Sequence, residues 1–286
     1  MTYTISPLPH AKGRESVKSV MWGTVAALIP ITIAAIYLFG LPAIKIIIAT
    51  VVAAVVAEIV IYKAASQPIT IDDGNAVLVG LMLALLMPPS VSENLWVPII
   101  GAVFAIAVAK YIFGGTGTLV FHPALIGFAF LLAAWPTLMV ATTPNLSSFS
   151  DILLETGAGR LVEASPVLVL LGGAIVLYKR YVDRRVAISA TLLLVLLVLI
   201  SGKGGQLPYI LTGGYFLGLI FLAADPITSP VTKKGRLIYG VMLAVLILIQ
   251  LHFGAYFTGM CFAVLMMNVF SPLIDRSTIP KPIGGK

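Results

Sequence analysis

The stretch L222-AADPITSPVTKKGRLIY-G240 interrupts a chain that is otherwise almost unbroken Leu, Val and Ile. Around it the composition is 59% hydrophobic and only 10% charged over 286 residues, with a mean hydropathy of +1.07. A soluble domain is about half apolar and a quarter charged, so this chain reads as an integral membrane protein. The break then asks for an explanation, because irregular backbone in lipid leaves its N–H and C=O groups without partners.

About 20 mostly apolar residues cross a bilayer as a helix. Working outward from the break, the chain offers ten such segments. Eight are full: 20–38, 42–61, 95–113, 123–141, 166–182, 186–200, 237–251 and 255–270. The third, 76–87, and the eighth, 209–224, are short or interrupted. Ten spans put both termini on one side. With the N-terminus inside, 15 of the 18 basic residues fall in inside segments, and only Lys45, Arg160 and Lys203 fall outside. This is the bias of the positive-inside rule, which also accounts for "YKRYVDRR" and "TKKGR" as charge that sets topology; docking of a soluble partner is the alternative use. The net charge of +7 is spread between spans, so nucleic-acid binding is excluded as its explanation. The start, "MTYTISPLPHAKGRESVKSV", lacks the cleavage pattern of a signal peptide and reads as a cytoplasmic tail.

The break after Ala224 has a counterpart. "VGLMLALLMPPS" (79–90) and "LGLIFLAADPITSP" (217–230) each run from a Gly through a short apolar half-span to a Pro-containing polar stop. "YIFGGTGTLVFHPALIG" from Tyr111 is echoed by "LHFGAYFTGMCFAVLMMNVFSPLID" from Leu251. Five spans per half is odd, so the halves insert with opposite orientation. The expected fold is an all-α polytopic membrane protein of about ten transmembrane helices, in two inverted five-helix repeats with broken third and eighth spans. Its parts are an N-terminal cytoplasmic tail (1–19), a first repeat (20–142), an outer loop (143–165), a second repeat (166–276) and a C-terminal tail (277–286). Paired broken helices point to a binding site near the midplane, since they expose backbone ends there; ordinary inter-helix loops are the plainer reading.

Chemistry-bearing residues are sparse. The one cysteine, Cys261, precludes an intrachain disulfide or a C-x-x-C site. No His, Cys or carboxylate group has metal-ligand spacing, and no Ser-His-Asp set is recognisable, so neither a metal site nor catalytic residues are assigned. Any redox role falls to a bound cofactor. Asp225, with Thr228 three residues on, marks the eighth break: its carboxylate either binds a ligand or cation, or caps a turn and pairs with the nearby Lys233, Lys234 and Arg236. Glu58, deep in the second span, is the other candidate: either a buried acid or, one turn from the inner interface, one that reaches water. Gly114, Gly115 and Gly117 permit either close approach to a planar ligand or a tight turn. "GGTG" has no βαβ unit around it and is not a nucleotide fingerprint.

Together "DPITSPVTKKGRLIYG", "DDGNAVLVGLMLALLMPP", "FGGTGTLVFHPALIGFAFLLAAWP" and "NVFSPLID" resemble the RnfD and NqrB membrane subunits, over most of the chain from about Asp72 to Asp275. The resemblance implies a two-half membrane subunit of a redox-driven complex in the inner (plasma) membrane. Such a subunit carries flavin and works with other subunits of the complex while Na⁺ or H⁺ is translocated. It further implies FMN joined through its phosphate to a threonine in an outer loop, within a Ser-Gly-Ala-Thr-Pro type motif that precedes a Gly-Glu-Thr-Ser type stretch. "GRLVEAS" (159–165) matches the second landmark. The first survives only as "VATTP", where Thr142 and Thr143 are the candidate attachment points and the Ser-Gly is missing. At His122, before Pro123, the family shows Asn near a non-covalent riboflavin; an imidazole there either stacks on or donates to an isoalloxazine, or is an interfacial residue. The cofactor candidates are therefore Thr142, Thr143, His122, Pro123, Gly114, Gly115, Asp225 and Thr228. The departures keep a second class open: a flavin-free channel or transporter for ions or small solutes on the same repeat.

Overall fold

A computed structural model describes residues 16–66, 71–115, 117–141, 159–202 and 204–279. Within them the chain is helical, with no strand. The principal helices are α1 (Val17–Phe39), α2 (Leu41–Ala64), α3 (Asn75–Leu85), α4 (Trp96–Tyr111), α5 (Pro123–Ala134), α6 (Pro166–Lys179), α7 (Arg184–Ile200), α8 (Gly213–Leu222), α9 (Lys233–His252) and α10 (Phe257–Thr278). Four of them, α1, α2, α9 and α10, are by length and composition sufficient to cross a membrane alone.

The long helices divide into a buried and an exposed stripe although both are apolar. On α2, Ala43, Ile46, Thr50, Ala54 and Ala57 are buried, while Ile48, Val52, Val56 and Val60 are exposed at intervals of four residues. A helix apolar all round fits a bundle whose outer surface meets lipid. Gly40, at φ 62°, closes α1 and opens α2, and Pro42 sits in the first turn of α2 where its missing N–H costs nothing.

The two short elements answer the question posed by the broken segments. Every described residue of α8 is buried, and so is nearly every residue of α3. They lie inside the bundle, wrapped by the long helices: α3 packs on α1, α2 and α5, and α8 on α6, α7 and α10. Enclosed by protein, they need not cover the bilayer thickness alone, and their irregular ends find partners in neighbouring backbone. The polar stop at Asp225 is one such end. The second half of α8, Leu217–Leu222, is wound as π-helix, as is Ala105–Tyr111 of α4, a distortion that recurs at functional sites.

Glycines set the closest approaches. A Cβ on Gly80 of α3 would stand 2.7 Å from Val51 Cα, and one on Gly172 of α6 would stand 2.2 Å from the Ala27 carbonyl oxygen of α1. Small residues give apolar helices their packing contact where lipid supplies no hydrophobic drive. Gly80→Leu is expected to push α2 and α3 apart at a cost of about 1–3 kcal/mol, measured as a lower thermal midpoint in detergent; an unchanged midpoint would mean that the two helices are free to separate.

Two expected spans end differently. The fifth stops at Ala134, not Ala141, because Pro136 holds Trp135 away from helical geometry (φ −136°, ψ 64°). The eighth is two pieces, a turn at Leu207–Ile210 and then α8, separated at residues 211–212.

Candidate functional site

The "GRLVEAS" stretch folds into the bundle instead of lying over it. Gly159 adopts φ 97°, and a Cβ there would stand 1.8 Å from Glu163 Oε2, so the turn demands glycine. Glu163 Oε2 accepts the Arg160 backbone N–H at 2.8 Å, and Leu161 N–H donates to the Met87 carbonyl at 3.0 Å. The Arg160 side chain is 5% exposed. Its Nη1 donates to the Leu86 carbonyl at 3.0 Å, satisfying the frayed end of α3. Its guanidinium lies over the rings of Phe128 and Phe257, 5.0 and 4.5 Å from their centroids. Burial pushes the Glu163 carboxyl above its usual range; the Arg160 N–H bond and the Arg160 charge oppose that shift.

These groups border a cleft of about 210 Å³ whose wall includes Ala141, Thr212, Tyr215 and Thr258. Two of its lining residues, Tyr209 and Tyr256, stack with centroids 4.4 Å apart and planes 25° from parallel. Tyr215 O–H donates to the Tyr256 carbonyl at 2.9 Å and fixes that segment. The cleft thus combines aromatic faces with one buried cation and one buried carboxyl, the furnishing of a site for a planar, partly anionic molecule. Thr142 and Thr143 lie outside the described residues; Ala141, on the cleft wall, directly precedes them.

The other candidates are dispersed. His122 is the N-cap residue of α5 with Pro123 in the first turn, and it is buried. Its carbonyl accepts from Leu125 and Ile126, whereas its Nδ1 has no partner among the described residues. It stands six residues before Phe128, about 9 Å of helix rise from the ring under Arg160. Gly114 and Gly115, at φ 96° and 101°, form a left-handed turn after α4. A Cβ on Gly115 would meet the Tyr62 hydroxyl at 3.2 Å, which leaves the turn packed on protein. Asp225 caps its own loop: Oδ2 accepts from Thr228 N–H and Oγ1–H at 3.3 and 3.2 Å. Burial pushes this carboxyl up to about 6, and the Thr228 bonds work against the shift. The neighbouring basic run does not pair with it. Arg236 reaches Asp183 instead, at 2.6 Å.

Sequence reading missed two residues by counting them only as topology-setting charge. Arg160 is one. Lys110 is the other: it is fully buried and pairs with Glu58, Nζ to Oε1 at 2.8 Å, next to the Tyr62–Tyr111 aromatic pair. Glu58 therefore does not reach water. Lys110 lies between apolar residues in "AIAVAKYIF", which was the available signal.

Residues 4–284 match the NQR2, RnfD, RnfE family. The chain is 43% identical to a subunit of the ion-translocating oxidoreductase complex of Methanosarcina acetivorans, over 99% of this chain and 98% of that one. It is 33% identical to the corresponding subunit of the proton-translocating ferredoxin:NAD(+) oxidoreductase complex of Clostridium ljungdahlii, over 99% and 96% of the two chains. It is also 33% identical to its counterpart in the Na(+)-translocating ferredoxin:NAD(+) oxidoreductase complex of Acetobacterium woodii, over 97% and 94%.

Proposed function

This chain belongs to the NQR2, RnfD, RnfE family, and on that premise we propose that it is the membrane subunit of a redox-driven, ion-translocating complex of the Rnf type, holding flavin that relays electrons. Its relatives name both H⁺ and Na⁺ as the translocated ion, so family membership leaves the coupling ion open. Electrons reach and leave the flavin through other subunits of the complex.

The carrying observation is the cleft beside Arg160, whose wall includes the residue immediately before Thr142 and Thr143. Flavin bound there supplies one- and two-electron chemistry. The residues fit such a group in part. Tyr209, Tyr256 and Phe257 present ring faces, and Arg160 supplies a fixed cation beside them. At about 210 Å³ the cleft is smaller than a pocket enclosing a whole cofactor, commonly about 300–1,000 Å³, so these residues would grip one portion of a flavin. His122, whose Nδ1 has no partner among the described residues, is the proposed contact for a second, non-covalent flavin.

The ten-span inverted repeat belongs to the same proposal. Its support is parallel packing: α2 lies against α3 and α4, and α4 against α5, while α7 lies against α8 and α9, and α9 against α10. An inner-membrane orientation with cytoplasmic termini is supported by the basic residues. With the buried Lys110 and Arg160 set aside, 14 of the remaining 16 fall on the inside of that arrangement.

The test is a denaturing gel of the purified chain viewed for flavin fluorescence, alongside a native absorbance spectrum. A fluorescent band that vanishes in the Thr142→Ala/Thr143→Ala variant is the expected result. Flavin in the native spectrum but absent from the band would remove covalent attachment and keep the relay. No flavin in either would overturn the reading in favour of the channel or transporter.

A further inference from the structure

The face formed by α9 and α10 changes character along its length. On α9 the residues Lys234, Ile238 and Met242 follow one another at intervals of four and so form a single stripe. Facing it on α10 are Phe270, Leu273, Ile274 and Ser277. Ile238, Met242, Phe270 and Leu273 line an apolar groove of about 550 Å³ that also reaches Arg276 and Ser277. At Ser277 the groove meets a recess of about 710 Å³ lined by Thr232, Lys233, Lys234 and Thr278.

The walls are fixed. A Cβ on Gly235 would stand 3.0 Å from Thr278 Oγ1 and 3.2 Å from Ile274 Cγ2, so the two helices touch there. Tyr239 O–H donates to Asn268 Oδ1 at 2.9 Å and ties them again below. The groove lies beside this seam. Its charge is unspent: among the described residues Lys233, Lys234 and Arg276 make no ion pair. The nearest carboxylate, Asp275, is occupied by the Val231 and Thr232 backbone N–H groups at 3.0–3.1 Å.

We propose that this groove holds one anionic phospholipid, with an acyl chain along Ile238, Met242, Phe270 and Leu273 and its phosphate between Lys234 and Arg276. The depth matches. From Lys234 to Met242 is eight residues, about 12 Å of rise, close to the roughly 15 Å thickness of one leaflet's hydrocarbon. Charge complementarity selects the occupant. A zwitterionic lipid leaves the cations unneutralised, and an apolar partner helix continuing past Ser277 would bury them. The proposal is independent of the flavin reading.

The experiment is native mass spectrometry of the full chain titrated with phosphatidylglycerol, phosphatidylcholine and inorganic phosphate. One tightly held phosphatidylglycerol per chain is expected, with phosphatidylcholine bound much less. Lys234→Gln should weaken that affinity roughly fivefold, and Lys234→Gln/Arg276→Gln roughly thirtyfold, at about 1 kcal/mol per surface cation. Met242→Trp should displace the lipid by filling the groove with every charge intact, and Lys179→Gln, an exposed cation elsewhere, should leave binding unchanged. Equal binding of the two lipids, or retention in both the charge and the groove variants, would overturn the proposal. Competition by inorganic phosphate as strong as by phosphatidylglycerol would do so too, as the acyl chain would then contribute nothing. A photo-crosslinker at position 242 that captures only protein in native membranes would make the face a protein–protein contact instead.

Discussion

Lys110→Met is expected to destabilise the protein by about 3–5 kcal/mol, because it strands a carboxylate that has no route to water. Glu58 and Lys110 are both fully buried, and the only hydrogen bond of either head group among the described residues is the 2.8 Å contact between them. Glu58 Oε2 already lacks a partner, so the carboxylate depends on the ammonium alone for compensation. Removing the cation leaves the buried acid without its one compensating partner. Removing both charges is a different experiment. Glu58→Leu/Lys110→Met replaces the pair with apolar groups of similar volume, and in a buried setting that exchange is often neutral or better. The expected pattern is a large drop in thermal midpoint for the single variant and recovery of most of it in the double. Equal losses in both would mean that the pair fixes the geometry of α2 against the π-wound end of α4, not merely its own charge balance.

That pair also shows where sequence reading stops. α1, α2, α9 and α10 were legible because each is a continuous, predominantly apolar run of 20 or more residues. The breaks at "MPPS" and "DPITSP" were legible as well, since in each a cluster of Pro and polar residues closes a short apolar half-span. Hydropathy misled at Trp135-Pro136, where an apolar run continues but proline geometry ends the helix. Partners were the larger loss. Lys110 finds Glu58 across 52 positions, Arg236 finds Asp183 across 53, and Arg160 finds the Leu86 carbonyl across 74. Nothing local encodes such contacts. The Asp225–Thr228 cap spans three positions and was within reach, yet the nearby lysines suggested an ion pair as readily. Of the cofactor candidates, only Thr142 and Thr143 border the cleft in sequence; Gly114, Gly115, Asp225 and Thr228 form turns elsewhere in the fold.

Arg160→Met is expected to lose both stability and flavin. The guanidinium satisfies the Leu86 carbonyl at the end of α3, lies against Phe128 of α5 and Phe257 of α10, and provides the positive charge nearest Glu163 in that turn. Methionine keeps much of the packing but leaves the buried Leu86 carbonyl without its donor and Glu163 with only the backbone N–H of residue 160. The loss should be about 1–3 kcal/mol, the cost of leaving a buried acceptor without its donor. Arg160→Lys separates the contributions: it keeps the charge but gives up the planar group that lies over two rings and aims an N–H at Leu86. If the cleft holds flavin, Arg160→Lys should fold with a modest drop in thermal midpoint and purify with a lower flavin-to-protein ratio. A purely structural Arg160 would instead lower the midpoint in both variants and leave the flavin-to-protein ratio of the folded fraction unchanged. That ratio, read from absorbance after gel filtration, distinguishes a residue that grips the cofactor from one that only closes the seam between α3, α5 and α10.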